Sequence, residues 1–244
     1  MQEKGMVLLP VYNAEKTVET VVERILAGTH ALDTEYDILA IDDGSKDGSY
    51  QVLKELAAQH SNLILDQHIE NQGLAQVLKR GYRQSVDHSY GHTIRTDADS
   101  EQNQTEVVSK LGRKVADSDV VVARRQFRGE GLAETHLKIG MSAIMNEIFG
   151  LKILEPSSGN LAFQRRPLED LIDTEFLKNY ARRWSFDASS VILASKLGYN
   201  IGYVDVEGFS EPDRRPAEKV FVQYSTYFQT INELKVLEVK PRKL

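Results

Sequence analysis

Apolar runs rich in β-branched residues alternate along the first half of the chain with segments whose apolar positions recur at helical spacing. Residues 6–9 form the first such run, and 15–26 the first helical segment, in which Val18, Val21, Val22, Ile25 and Leu26 share a face. The unit recurs as 36–41 with 50–58, as 62–65 with 74–86, and as 92–96 with 105–115, closing on a run at 120–123. Alternating strand and helix units predict an α/β fold, with a mostly parallel central sheet flanked by helices. Ligands of such sheets bind beyond the carboxyl ends of the strands. The polar clusters at Pro10 to Asn13, Asp42 to Ser45 and Asp97 to Glu101 are therefore expected on one rim. Past Arg128 the pattern is less regular: a helix over about 134–149, a turn at 156–160, a short strand at 161–163, and helices near Pro167 and Phe186. Val220, Tyr224, Tyr227, Phe228 and Ile231 form a last apolar stripe at helical spacing before a basic KPRKL.

A length of 244 residues suffices for one large core, and 41% hydrophobic with 27% charged residues is a globular composition. The formal net charge of -6 argues against a general nucleic-acid binder, which needs a basic face. With no cysteine, disulfides and Cys-based zinc or redox chemistry are excluded. No N-terminal stretch joins a basic segment to an apolar run, and no apolar run is long enough to span a bilayer, so a cytoplasmic location is expected. Peripheral attachment to a membrane surface stays compatible with this. Neither GxGxxG nor GxxxxGK occurs, and none of the six histidines has partner spacing that demands a metal site or triad.

The candidate chemistry centres on Asp97, Asp99 and Glu101, acidic residues at every second position in RTDADSE. In extended backbone they project to the same side, where oxygen-only ligands suit a hard ion such as Mg²⁺ or Mn²⁺. Without a cation the three charges should raise one another's pKa values. On these residues alone a solvated acidic turn is the commoner account.

Six motifs in fixed order extend the picture: LLPVYNAEKTV, IDDGSKDGS, NQGLAQVLKRG, TDADSE, SSGNLAFQR and EGFSEPDRRPAEK. From Leu8 to about Lys219 the chain resembles the family 2 glycosyltransferases with a GT-A fold, and within them the dolichyl-phosphate mannose synthase type. The resemblance implies a Rossmann-like nucleotide-sugar-binding half over 1–128, an acceptor-binding half over 129–219, and a C-terminal helix with basic tail over 220–244, in a single domain. It further implies metal-dependent, inverting transfer from a GDP- or UDP-sugar. Pro10, Val11, Tyr12 and Asn13 would face the nucleotide base; as plain sequence they also read as a turn with Asn13 capping the next helix. Asp42 and Asp43 would accept hydrogen bonds from base and ribose, although DGSKDGS has turn chemistry of its own. Gln72 and Gly73 would complete the donor pocket, with Lys79 and Arg80 on a solvated helix face. Asp97 and Ala98 would approach the sugar or ribose, and Asp99, in the DXD motif, would be the principal metal ligand. Glu101 stands where mannose synthases usually carry Gln.

The acceptor is expected to be a polyprenyl phosphate, for which the resemblance offers Arg125, Lys138, Arg214 and Lys219. Guanidinium groups suit bidentate phosphate binding, and an ionised phosphate needs no general base. The arginine that the family carries shortly after Gly159 is absent. Asp187, eleven residues before Gly198, matches the second acid of the Glu-Asp pair found in family enzymes that act on hydroxyls, while Phe186 replaces the first. Asp187 is thus either a general base for a hydroxyl acceptor or a cap on the following helix. A nucleotide-sugar-binding protein without turnover and a nucleotidyl transferase are the competing readings. Sugar, base and oligomeric state are left open.

Overall fold

The computed structural model describes residues 3–98, 103–127, 140, 142–144, 146–149, 158–175, 177 and 185–208. The first βα units follow the apolar runs closely: β1 (Gly5–Val11), α1 (Val18–His30), β2 (Tyr36–Asp42), α2 (Ser49–Gln59), β3 (Leu63–Gln67), α3 (Leu74–Asp87), β4 (His92–Arg95) and α4 (Gln104–Lys114). They are followed by β5 (Val120–Phe127), β6 (Leu161–Gln164), α5 (Arg165–Ile172), α6 (Ser185–Lys196) and β7 (Ile201–Gly208). The seven strands form one sheet in the order β3-β2-β1-β4-β6-β5-β7. Only β6 runs antiparallel to its neighbours β4 and β5; the other pairings are parallel, which bears out the mostly parallel sheet.

Register explains the placement of the polar clusters. Val11 lies opposite Asp42, and Leu8 opposite Arg95, so β1, β2 and β4 end at one rim. Because β6 is reversed, its start meets the end of β4, with Leu161 opposite Arg95. Residues 158–160 are thereby delivered to the same rim, next to Asp97.

Alternate residues of β1 enter opposite faces of the sheet, Met6 and Leu8 into one core, Val7, Leu9 and Val11 into the other. Both faces are covered, as parallel strands require. On the first face lie Val77, Leu78 and Tyr82 of α3, Leu168 of α5 and Phe186 of α6; the second buries α1, α2 and α4.

Two differences from the expected elements have physical causes. The first helix starts at Val18 and not at 15, because 14–17 form a turn in which Thr17 N–H donates to the Ala14 carbonyl at 2.9 Å. β7 is additional; its signal was the apolar series Ile201, Tyr203, Val204 and Val206. In α6 every residue from Ser185 to Ala194 is buried, so it shows no amphipathic period. The helix expected over 134–149 falls largely outside the described residues, although 142–144 and 146–149 are helical, and the stripe beyond 219 falls outside entirely. Among the described residues, no helix is long and apolar enough to cross a membrane.

Candidate active site

Backbone geometry stitches the loops after β1 and β2 together. Asn13 adopts φ +50°, its N–H donates to Ser45 Oγ at 2.9 Å, and its side-chain carbonyl accepts from Lys46 N–H at 2.8 Å. Asn13 is therefore no helix cap, since α1 begins five residues later. Ala14 N–H is held by Ser49 Oγ at 2.8 Å and Glu15 N–H by Asp47 at 3.1 Å. Tyr12 is left projecting from this brace, 48% exposed. Thr17 Oγ donates to the Ala98 carbonyl at 2.9 Å, which ties the acidic loop after β4 to the start of α1.

The two adjacent aspartates are buried and differ in what surrounds them. Asp43 accepts from Gln72 N–H at 2.9 Å, Gly73 N–H at 2.8 Å and the His68 ring nitrogen at 2.7 Å. It thereby fixes the entry to α3, where Gly73 takes φ +89°. Asp42 accepts from Ser45 N–H and Gln67 Nε2 on one oxygen only; its Oδ1 has no hydrogen-bond partner among the described residues. Arg80, expected on a solvated face, is exposed and pairs with Asp66, while burial lowers the Lys79 pKa.

Beneath the rim lies a charged group that sequence reasoning missed. Arg95, the last residue of β4, is 1% exposed, and its Nη2 stands 2.8 Å from Asp97 Oδ1 and 3.5 Å from Asp187 Oδ2. The signal was a lone arginine in a short strand two residues before an aspartate, positions that project to the same side. Burial opposes the Arg95 charge, but Asp187 and Asp97 outweigh it and raise its pKa. For Asp187 the balance is reversed: burial pushes the carboxyl up to about 6, with Asp97 adding to the rise, and Arg95 only partly opposes them. Asp187 sits in the first turn of α6 and turns to Arg95 from within the fold. The buried Tyr82 hydroxyl is raised well above its ordinary value, by burial first and by Asp187 and Asp97 in addition.

Residues 158–160 close the group from the β6 side. Thr96 Oγ donates to Asn160 Oδ1 at 2.7 Å, and Ala123 N–H to the Asn160 carbonyl at 3.0 Å. A Cβ on Gly159 would fall far inside van der Waals contact with both Arg95 Nη1 and Asp97 Oδ2. Gly159→Ala should therefore cost about 1–3 kcal/mol as overpacking and should also displace Asp97. Thermal unfolding, together with the KM for the donor, checks this.

Asp99, Glu101, Lys138, Arg214 and Lys219 lie outside the described residues, and of Arg125 only the backbone, in β5, is described. The described residues contain no cluster of three His, Cys, Asp or Glu able to hold a metal. What the fold does bring together is Tyr12, Asn13, Asp42, Gln72, Gly73 and Asp97, at the ends of β1 to β4, with Asp187 behind them.

Comparison with known proteins adds four findings. The model of the family described as Glycosyl transferase family 2 matches residues 6–172. A UDP-N-acetylglucosamine–dolichyl-phosphate N-acetylglucosaminyltransferase of Methanococcus voltae is 25% identical over 243 residues, covering 92% of this chain and 93% of that one. An undecaprenyl-phosphate 4-deoxy-4-formamido-L-arabinose transferase of Photorhabdus laumondii is 29% identical over 173 residues, 70% of this chain and 52% of that one, so the chain spans about half of that relative. Among solved structures, glucosyl-3-phosphoglycerate synthase from Mycobacterium tuberculosis, in complex with Mn²⁺, UDP-glucose and phosphoglyceric acid, shares the fold: TM-score 0.72 at 17% identity, over 98% of this chain and 81% of that one.

Proposed function

We propose, for a chain that belongs to glycosyl transferase family 2, that it moves a sugar from a nucleotide-sugar donor to a polyprenyl phosphate, with inversion at the anomeric carbon. The chain is a glycosyltransferase; donor, acceptor and stereochemistry are the proposal. The observation that carries it is the register that ends β1, β2 and β4 at one rim, with Asp97 two residues beyond β4.

In this reading Pro10, Tyr12 and Asn13 face the base, with the exposed Tyr12 ring as the stacking surface, while Val11, expected beside them, packs in the core. Asp42 meets the nucleoside through the oxygen that has no protein partner, while Asp43 shapes the pocket by fixing Gln72 and Gly73. Asp97 gives one oxygen to Arg95 and keeps its exposed portion for the donor; its side chain is 34% exposed. Carboxylates at Asp97, Asp99 and Glu101, in a chain without cysteine, are a donor set that fits Mg²⁺ or Mn²⁺. Such an ion, when bound, neutralises charge developing on the departing diphosphate. Arg125, Lys138, Arg214 and Lys219 are the proposed phosphate contacts of the acceptor.

The acceptor class is supported by two relatives named for dolichyl phosphate and undecaprenyl phosphate. Those names concern N-acetylglucosamine and 4-deoxy-4-formamido-L-arabinose, so the donor sugar is kept broader than the mannose of the synthase type resembled. An acceptor of this kind would put the enzyme at a membrane surface. The test is a mass-spectrometric screen of UDP- and GDP-sugars with Mn²⁺, with and without polyprenyl phosphate. A glycosylated lipid phosphate is expected; transfer to hydroxyl compounds alone would overturn the acceptor assignment.

One observation favours transfer to a hydroxyl as the second reading: Asp187 Oδ1 has no hydrogen-bond partner among the described residues, and the carboxyl is pushed up to about 6. Those are properties of a general base near neutral pH. A base works deprotonated, so with a hydroxyl acceptor kcat should rise as pH increases through about 6. Asp187→Asn should remove that limb; an unchanged profile excludes the role.

A further inference from the structure

We propose that Arg95 is a positioning residue that binds Asp97, on the donor side, and Asp187, on α6, into one pair set from inside the fold. The inference rests on the reading of the rim as the donor site and adds a residue to it that no motif marks.

Arg95 leaves β4 on the face that carries Leu8 and Leu161, its partners in the sheet, and reaches the space beneath Tyr82 and Phe186. Its Nη2 serves both carboxylates. Its Nε and Nη1, Asp187 Oδ1 and the Tyr82 hydroxyl are all buried with no hydrogen-bond partner among the described residues. Stability alone does not account for such a group, because apolar residues of similar volume commonly replace a buried ion cluster at no loss, and buried polar atoms without a protein partner are costly. The cluster also dictates its surroundings: position 159 has room for glycine and not for a Cβ, and the Thr96 to Asn160 bond fixes the backbone on both sides. A planar guanidinium can hold two carboxylates at set angles, which an ammonium cannot. Asp97 follows the strand that ends at the donor rim, whereas Asp187 belongs to a helix of the second half of the chain. Arg95 is the described contact through which displacement of one carboxylate is felt by the other.

The experiment uses the full chain and the variants R95K, D97N, D187N and D97N/D187N. R95K keeps the cation and loses the planar Nη2 group that meets both carboxylates, and kcat with a donor accepted by the wild type should fall about 10- to 100-fold, the range typical of groups that orient a ligand. The thermal midpoint of D97N/D187N should differ from the sum of the two single shifts, because both carboxylates act on one guanidinium. Additive shifts overturn the proposal. So does R95K with wild-type kcat and a lowered midpoint, which would make Arg95 structural only. Should R95K not fold, the carboxylate cycle decides, since it leaves Arg95 in place. A wild type that turns over no donor would refute the glycosyl-transfer reading while the cycle still decides the role of Arg95.

Discussion

Asp97→Ala should lower kcat for sugar transfer about 100- to 1,000-fold, the usual loss on removing a preorganised electrostatic contact to a developing charge. Two effects combine. The rim loses the carboxylate proposed to stand beside the donor, and Arg95 loses the nearer of its two counter-charges, the 2.8 Å contact, and keeps Asp187 at 3.5 Å. The guanidinium is then left with Asp187 alone, so the damage reaches α6 as well. Asp97→Asn separates these effects, since it keeps the volume and one acceptor oxygen and removes only the charge. It should fall between alanine and wild type. Steady-state kinetics with saturating Mn²⁺ and donor provide the measurement, and an alanine variant within about threefold of wild type would remove Asp97 from the reaction.

Asp43→Ala should instead act on stability, by roughly 3 kcal/mol or more, because each hydrogen bond to a charged acceptor contributes about 1.5–3 kcal/mol. Gln72 N–H, Gly73 N–H and the buried His68 all lose their common acceptor, and the first two set the start of α3. For a chain of this size the thermal midpoint should drop by roughly 10 °C. Asp43→Asn, which retains one acceptor oxygen, should lose less. Differential scanning calorimetry of the three proteins would show it; an unshifted alanine midpoint would mean that these bonds contribute nothing net.

The first βα units were legible because β1 and β2 are apolar runs buried on both faces and each helix shows one apolar stripe, as in Val18, Val21, Val22 and Ile25. Their convergence on a rim followed from parallel pairing, which the alternation of elements already implied. α6 was harder to read, since a helix buried all round has no stripe, and β7 alternates too weakly to compete with the motif that follows it. At the site, the acids were visible as types in sequence, but their partners were not. DDG reads alike whether its aspartates meet a ligand or backbone N–H groups 30 residues away, and only the fold shows Asp43 held by Gln72 and Gly73. Arg95 escaped notice for the same reason. Its meaning depends on Asp187, 92 positions later, brought beside it by β6 pairing and the packing of α6.

The most direct measurement is the crystal structure of the full chain with Mn²⁺ and UDP-N-acetylglucosamine, read by the anomalous signal of the metal. The account predicts one manganese between the diphosphate and Asp99, with Asp97 still on Arg95 and the nucleoside against Tyr12 and Asp42. A nucleotide seated elsewhere, or a metal bound to the diphosphate with Asp97 and Asp99 both turned away, would contradict it.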